Sequence, residues 1–134
     1  MNKILSERVA TSGMMIIFFL LIIFHLLVLI RIIPFNIVWG GKLKTTKEMM
    51  SFESLSLGLN LVMMAVVFIK AGYLQWKISD IVIRIAFWIM FVLFLLNSLG
   101  NAFSENNFEK IVFTPATLIL SLFSLRLALS KKSN

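Results

Sequence analysis

Four long apolar stretches, over 14–33, 53–72, 80–101 and 111–129, alternate with short polar segments along the chain. Each is close to the length, about 20 residues, that a helix needs to cross the hydrocarbon of a bilayer. Backbone N–H and C=O groups in lipid have no water to bond to, so the stretches must satisfy themselves as helices. The apolar–polar alternation of barrel strands is missing from them. The pattern predicts an all-α fold, a bundle of four transmembrane helices forming one integral membrane domain over 1–134. Lys3 and Arg8 precede the first stretch, as they would in a secretory leader. That stretch is longer than a leader's apolar core, and Arg31-Ile32-Ile33-Pro34 is no small-residue cleavage site.

Polar residues mark where the helices begin. Thr45 followed by Glu48 has the spacing of a capping box, which starts the second helix near Thr46. Ser79 caps the third helix, with Asp80 in its first turn, where a carboxylate suits the helix dipole. Asp80 and Arg84 are four apart, the spacing of an intrahelical ion pair. The fourth helix has two start signals, Asn106 with Glu109 and Thr114 with Pro115. Together they predict a short interfacial turn around Phe108 and a bend near Pro115.

Composition agrees with lipid as the solvent. The 134 residues are 60% hydrophobic and 14% charged, against about 25% charged in soluble domains. A soluble domain this small could not bury so much apolar surface. The net charge is +7, which bears on topology. With both termini on one side, that side holds Lys3, Arg8, Lys70, Lys77, Arg84, Arg126, Lys131 and Lys132; the other holds Arg31, Lys42, Lys44, Lys47 and Lys110. The excess predicts cytoplasmic termini. Tyr73 and Trp76, beside Lys70 and Lys77, read as an aromatic belt at the inner interface, and Trp39 as its outer counterpart. No basic run exceeds Lys131–Lys132, so membrane lipids rather than nucleic acid are the expected partners.

In this orientation the polar residues are unevenly spread in depth. The cytoplasmic half is nearly pure hydrocarbon, with Arg84 and Arg126 near helix ends, where they can snorkel. The outer half holds His25, Arg31, Glu53, Asn60, Asn97, Asn101 and Thr114. Polar groups in lipid are costly unless paired, so a shared depth predicts that they face one another. Glu53, Ser56 and Asn60 fall on one helical face, as do Asn97 and Asn101. The expectation is a polar pocket open to the outer side and roofed by Trp39-Gly40-Gly41. On the fourth helix, Thr117, Ser121, Ser124 and Ala128 make a stripe of small residues, which suits a partner helix or a second copy of the chain.

Each of these residues also has a plainer reading. His25, the only histidine, is a titratable group within a span; a structural interhelical hydrogen bond is the plainer role. One histidine supplies one axial ligand, so haem is not expected, nor is any other cofactor. Glu53 is a candidate acid, base or proton carrier, or else a carboxylate paired with Arg31 or Lys47. Asn60 and Asn97 serve equally as interhelical hydrogen-bonding groups. Trp88, one turn beyond Arg84, is placed for a cation–π contact or for plain packing. The methionines read as packing residues.

Several chemistries are excluded. The chain has no cysteine, which removes disulfides, thiol redox relays and thiolate metal sites, and with them the four-helix quinone-linked thiol oxidases. Asp80 is the only aspartate, which argues against Mg²⁺-dependent phosphoryl transfer. There is no H-E-x-x-H motif, no G-x-S-x-G elbow and no phosphate-binding glycine loop.

The segments Pro34-Phe35-Asn36-Ile37-Val38-Trp39-Gly40-Gly41, Asn97-Ser98-Leu99-Gly100-Asn101 and Phe108-Glu109-Lys110 with Thr114-Pro115 resemble an uncharacterised group of small bacterial four-span membrane proteins. The resemblance runs from the first helix to the last and implies a bacterial inner-membrane location, with no activity attached. Small multidrug-type transporters are similar in size and hydropathy only, because their first helix carries a glutamate where this one carries His25. Three functions stay open at this level. The first is a non-catalytic membrane protein that binds a lipid, a small amphiphile or a partner helix. The second is a small proton-coupled or oligomeric transporter. The third is an intramembrane enzyme using His25 and Glu53 on a lipid-soluble substrate.

Overall fold

A computed structural model describes residues 6–34, 45–104 and 107–130. Helix α1 spans Glu7–Leu29, α2 Thr46–Ala71, α3 Asp80–Ala102 and α4 Thr114–Ala128, the last preceded by a π-helical segment, Glu109–Phe113. No strand occurs among the described residues. All four helical units, the fourth taken as Glu109–Ala128, are long and apolar enough to cross a membrane.

The helix ends follow local chemistry. Thr45 and Glu48 form the reciprocal capping box of α2. The Ser79 hydroxyl accepts the Val82 N–H to start α3. Helix α1 begins seven residues before its apolar stretch, because Ser6 accepts the Val9 N–H and Glu7 occupies the first turn. Helices α1 and α2 close alike. Ile32 N–H bonds to Leu27 O and Arg31 N–H to Val28 O; Tyr73 N–H bonds to Phe68 O and Gly72 N–H to Ile69 O. This closure needs a left-handed residue. Gly72 supplies it at φ 91° and Arg31 at φ 67°.

The fourth unit is one helix with a widened turn rather than a turn followed by a bend. Pro115 has no N–H to return to Ile111 O, and the backbone upstream shifts to i→i+5 bonding, with Thr114 N–H on Glu109 O. Asn106, the other start signal, lies outside the described residues.

Helices α1 and α2 pack as one hairpin and α3 and α4 as another, and α1 lies against α4. Helix α2 hardly touches α3. The α1–α4 approach is close: a Cβ on Gly13 would stand 2.3 Å from the Phe123 ring. Toward the chain termini the bundle is dry, with Met14, Phe18, Val67, Phe87, Leu120 and Leu127 at its centre. There the Arg84 guanidinium donates to Ser130 O at 3.2 Å and ties the start of α3 to the end of α4. It forms no ion pair with Asp80 among the described residues. Trp88 meets Phe91 edge-on at 5.9 Å.

The surface inverts the pattern of a soluble protein. Ile16, Phe19, Leu20, Ile85, Ile89 and Leu122 face outward, while Glu53, Asn60, Ser98, Glu109 and Ser121 are buried. Only an apolar solvent makes that arrangement favourable.

The small-residue stripe on α4 is used within the chain. Thr117, Ser121, Ser124 and Ala128 are all buried. Ser121 Oγ donates to Phe91 O across to α3 at 3.2 Å, and Ser124 Oγ donates to Leu120 O in its own helix at 2.7 Å. Small side chains let α3 and α4 approach closely.

Candidate functional site

In the half of the bundle away from the termini, the loose contact between α2 and α3 leaves a cavity of about 550 Å³. Every helical unit contributes to its wall. Helix α1 gives Leu21 and His25; α2 gives Glu53, Ser56, Leu59, Asn60 and Met63; α3 gives Leu93, Phe94, Leu96, Asn97, Gly100 and Asn101. The π segment adds Glu109 and Phe113, and α4 adds Thr117.

His25 and Glu53 meet inside it. The His25 Nδ1 is hydrogen-bonded to Glu53 Oε2, and the carboxylate is fully buried. Glu53 stands two turns into α2, roughly 10 Å along the axis from Thr46. Its partner is therefore the imidazole on α1, not Arg31 or Lys47. Geometry gives the reason. His25 lies one turn inside the end of α1, level with Glu53 on the antiparallel α2, whereas Arg31 lies beyond the helix end and is exposed. Burial of such a pair is tolerable when its remaining lone pairs are satisfied. Here Glu53 Oε1 is buried and accepts no hydrogen bond among the described residues.

Asn60 lies on the same face of α2, two turns further along. Its Nδ2 donates to Ser56 O at 2.8 Å. A carbonyl can only accept, so this bond fixes the amide orientation. The oxygen left over, Oδ1, is buried and also accepts nothing among the described residues. Two residues of the cavity wall thus carry buried acceptor atoms for which the described chain supplies no donor.

Glu109 is a further carboxyl of this wall, buried to 3% exposure, and Ser104 Oγ donates to its Oε2. In the sequence Glu109 reads only as the far half of a capping box. Its spacing, four residues before Phe113 and eight before Thr117, was the signal that it shares their face. Three aromatic rings close the α1–α4 side next to His25. Phe24 meets Phe113 edge-on at 5.0 Å and stacks with Phe108 at 5.9 Å, and Phe108 meets Phe113 at 5.4 Å. The periodicity of the apolar stretches does not mark these three.

The remaining expected site residues fall as follows. Asn97 and Asn101 line the cavity, with Asn97 exposed at its mouth between α3 and α2. Thr114 is not on the wall; its carbonyl accepts Ser98 Oγ at 3.1 Å and joins the start of α4 to α3. Arg31 is exposed beyond α1 and does not line the cavity. Trp39 and the rest of the expected Trp39-Gly40-Gly41 roof lie outside the described residues. Among the described residues, no three His, Cys, Asp or Glu side chains gather closely enough for a metal ion.

No protein-family model, no curated protein and no solved structure matches this chain. The reading of the cavity rests on its own atoms.

Proposed function

We propose that this chain is a non-catalytic integral membrane protein that binds a single-chain amphiphile in the cavity between α2 and α3. The observation that carries this reading is the pair of buried acceptors without donors, Glu53 Oε1 and Asn60 Oδ1, on two side chains that line the cavity. Leaving such groups unsatisfied costs about 1–3 kcal/mol each. A headgroup with N–H or O–H donors removes that cost. The loose α2–α3 contact gives a tail a lateral exit past Leu59 and Leu96 into the hydrocarbon. The orientation that goes with this reading has both termini in the cytoplasm, from the excess of basic residues on that side. The cavity then opens in the outer half. The resemblance to small bacterial four-span proteins supports the bacterial inner membrane as its location.

Two glycines supply the test. Gly100 lines the cavity, and a Cβ there would meet no atom within 4 Å; Gly58 is equally open but does not line it. Wild-type protein in nanodiscs should retain about one radiolabelled dodecyl-chain amphiphile, alcohol or amine, per chain above empty discs. Gly100→Phe should abolish that retention, and Gly58→Phe should preserve it. Retention that survives Gly100→Phe, or that is absent from the wild type, refutes the reading.

A second reading has its own observation. His25 and Glu53 are joined directly inside a span, in a cavity that also holds Glu109. Such a site can exchange a proton for a ligand, which makes the protein a proton-coupled transporter. Ligand-driven proton flux in proteoliposomes, lost in His25→Ala, favours this reading, and silent vesicles favour binding alone.

A further inference from the structure

We infer that the cavity selects amphiphiles whose headgroup is a primary ammonium, with Glu53 Oε1 as the anchor. This inference rests on the amphiphile-binding reading and adds the chemical class of the ligand.

Three observations on the cavity wall converge. First, the buried polar atoms that lack partners there, Glu53 Oε1 and Asn60 Oδ1, are both acceptors. A headgroup that offers only lone pairs gives them nothing, whereas an ammonium offers three N–H donors. Second, Glu53 and Glu109 bring two carboxyl groups to the wall against one imidazole, His25, and none of the described lining residues is Lys or Arg. The chain as a whole carries +7, so this acidic wall runs against its overall charge. An anionic headgroup would meet carboxylates in a low-dielectric space, where like charges are strongly disfavoured. Third, the His25 imidazole occupies Glu53 Oε2 and leaves Oε1, on a residue of the cavity wall, without a donor. The imidazole orients the carboxylate and an ammonium completes it, as a hydrogen-bonded ion pair rather than a lone buried charge.

A quaternary ammonium carries the same charge without an N–H donor. The geometry therefore separates two headgroups of equal charge. The primary ammonium can belong to a free long-chain amine or to an aminophospholipid headgroup. In the second case the phosphodiester must stay outside the acidic wall, at the mouth beside Asn97.

The test is a competition against radiolabelled dodecylammonium retained by wild-type protein in phosphatidylcholine nanodiscs, with Gly100→Phe discs as background. Unlabelled dodecylammonium should compete better than dodecanol and dodecyltrimethylammonium by on the order of tenfold or more, the worth of one charge-assisted hydrogen bond. Dodecanoate should compete least. In Glu53→Gln the advantage over dodecanol should disappear while dodecanol still competes. Equal competition by dodecanol, with Gly100→Phe still abolishing retention, overturns the ammonium inference and leaves the binding reading standing. Equal competition by dodecyltrimethylammonium, or stronger competition by dodecanoate, also overturns it. Specific retention of neither amine nor alcohol overturns both readings. The competitor series uses unaltered protein, so the result does not depend on Glu53→Gln folding. Discs containing phosphatidylethanolamine identify the source. Lowered retention there supports the inference with a lipid headgroup as ligand, and unchanged retention supports it with a free amine.

Discussion

Replacing His25 with leucine should destabilise the protein more than replacing His25 and Glu53 together. The Glu53 carboxylate has 0% exposure and the imidazole 14%, so the pair is withdrawn from water. One carboxylate oxygen already lacks a donor, and removal of the imidazole strands the other. Breaking a buried pair from one side costs about 3–5 kcal/mol, whereas exchanging both partners for apolar residues is close to neutral. Glu53→Leu alone leaves the imidazole without its hydrogen bond, a loss of about 1 kcal/mol. The cycle should therefore give a coupling of about 4–6 kcal/mol, well beyond the roughly 0.5 kcal/mol scatter of independent sites. The assay is SDS-driven unfolding in mixed micelles, followed by tryptophan fluorescence for the wild type, the two single variants and His25→Leu/Glu53→Leu. If the single effects add to within that scatter, the two side chains do not form the pair on which the cavity is built.

Arg31→Gly should stabilise α1 by about 1 kcal/mol in the same titration, because glycine adopts the left-handed cap without the cost a side chain brings. A loss of stability would contradict the cap that Arg31 forms at φ 67°. Ser121→Leu should cost about 1–3 kcal/mol by forcing a larger side chain between α3 and α4. Ser121→Ala should lose only the bond to Phe91 O, about 0.6 kcal/mol. Similar effects from both would mean that the stripe is not tightly packed.

The four helices and two of their caps were legible in the sequence because lipid leaves the backbone one solution and because capping is local. The Thr45–Glu48 box and the Ser79 cap use neighbours within one turn. Ser6 carries the same signal, but it lies outside the apolar stretch, whose pattern marks only the membrane-spanning part of α1. The Arg31 cap was not legible, since arginine has no preference for the left-handed region. The shared face of Glu53, Ser56 and Asn60 followed from spacing alone, and all three line the cavity. Which group bonds Glu53 did not follow, because that depends on how far α1 and α2 overlap along their axes. Register between helices is set by packing, not by spacing within one helix. Glu109 was legible by the same kind of spacing, four residues before Phe113 and eight before Thr117, but its capping-box pattern with Asn106 points to a helix start instead. The small-residue stripe was visible, but only packing decides whether such a stripe meets another helix of the same chain or a separate one.

The most direct measurement is photolabelling with a dodecylamine carrying a diazirine in its tail, in nanodiscs, with the adducts mapped by mass spectrometry. A cavity entered from the hydrocarbon between α2 and α3 predicts adducts at Met63 and Leu93 inside it and at Leu59 and Leu96 at its mouth, all lost in Gly100→Phe. Adducts spread evenly over the outward residues Ile16, Leu20, Ile85 and Ile89, and indifferent to Gly100→Phe, would contradict the account.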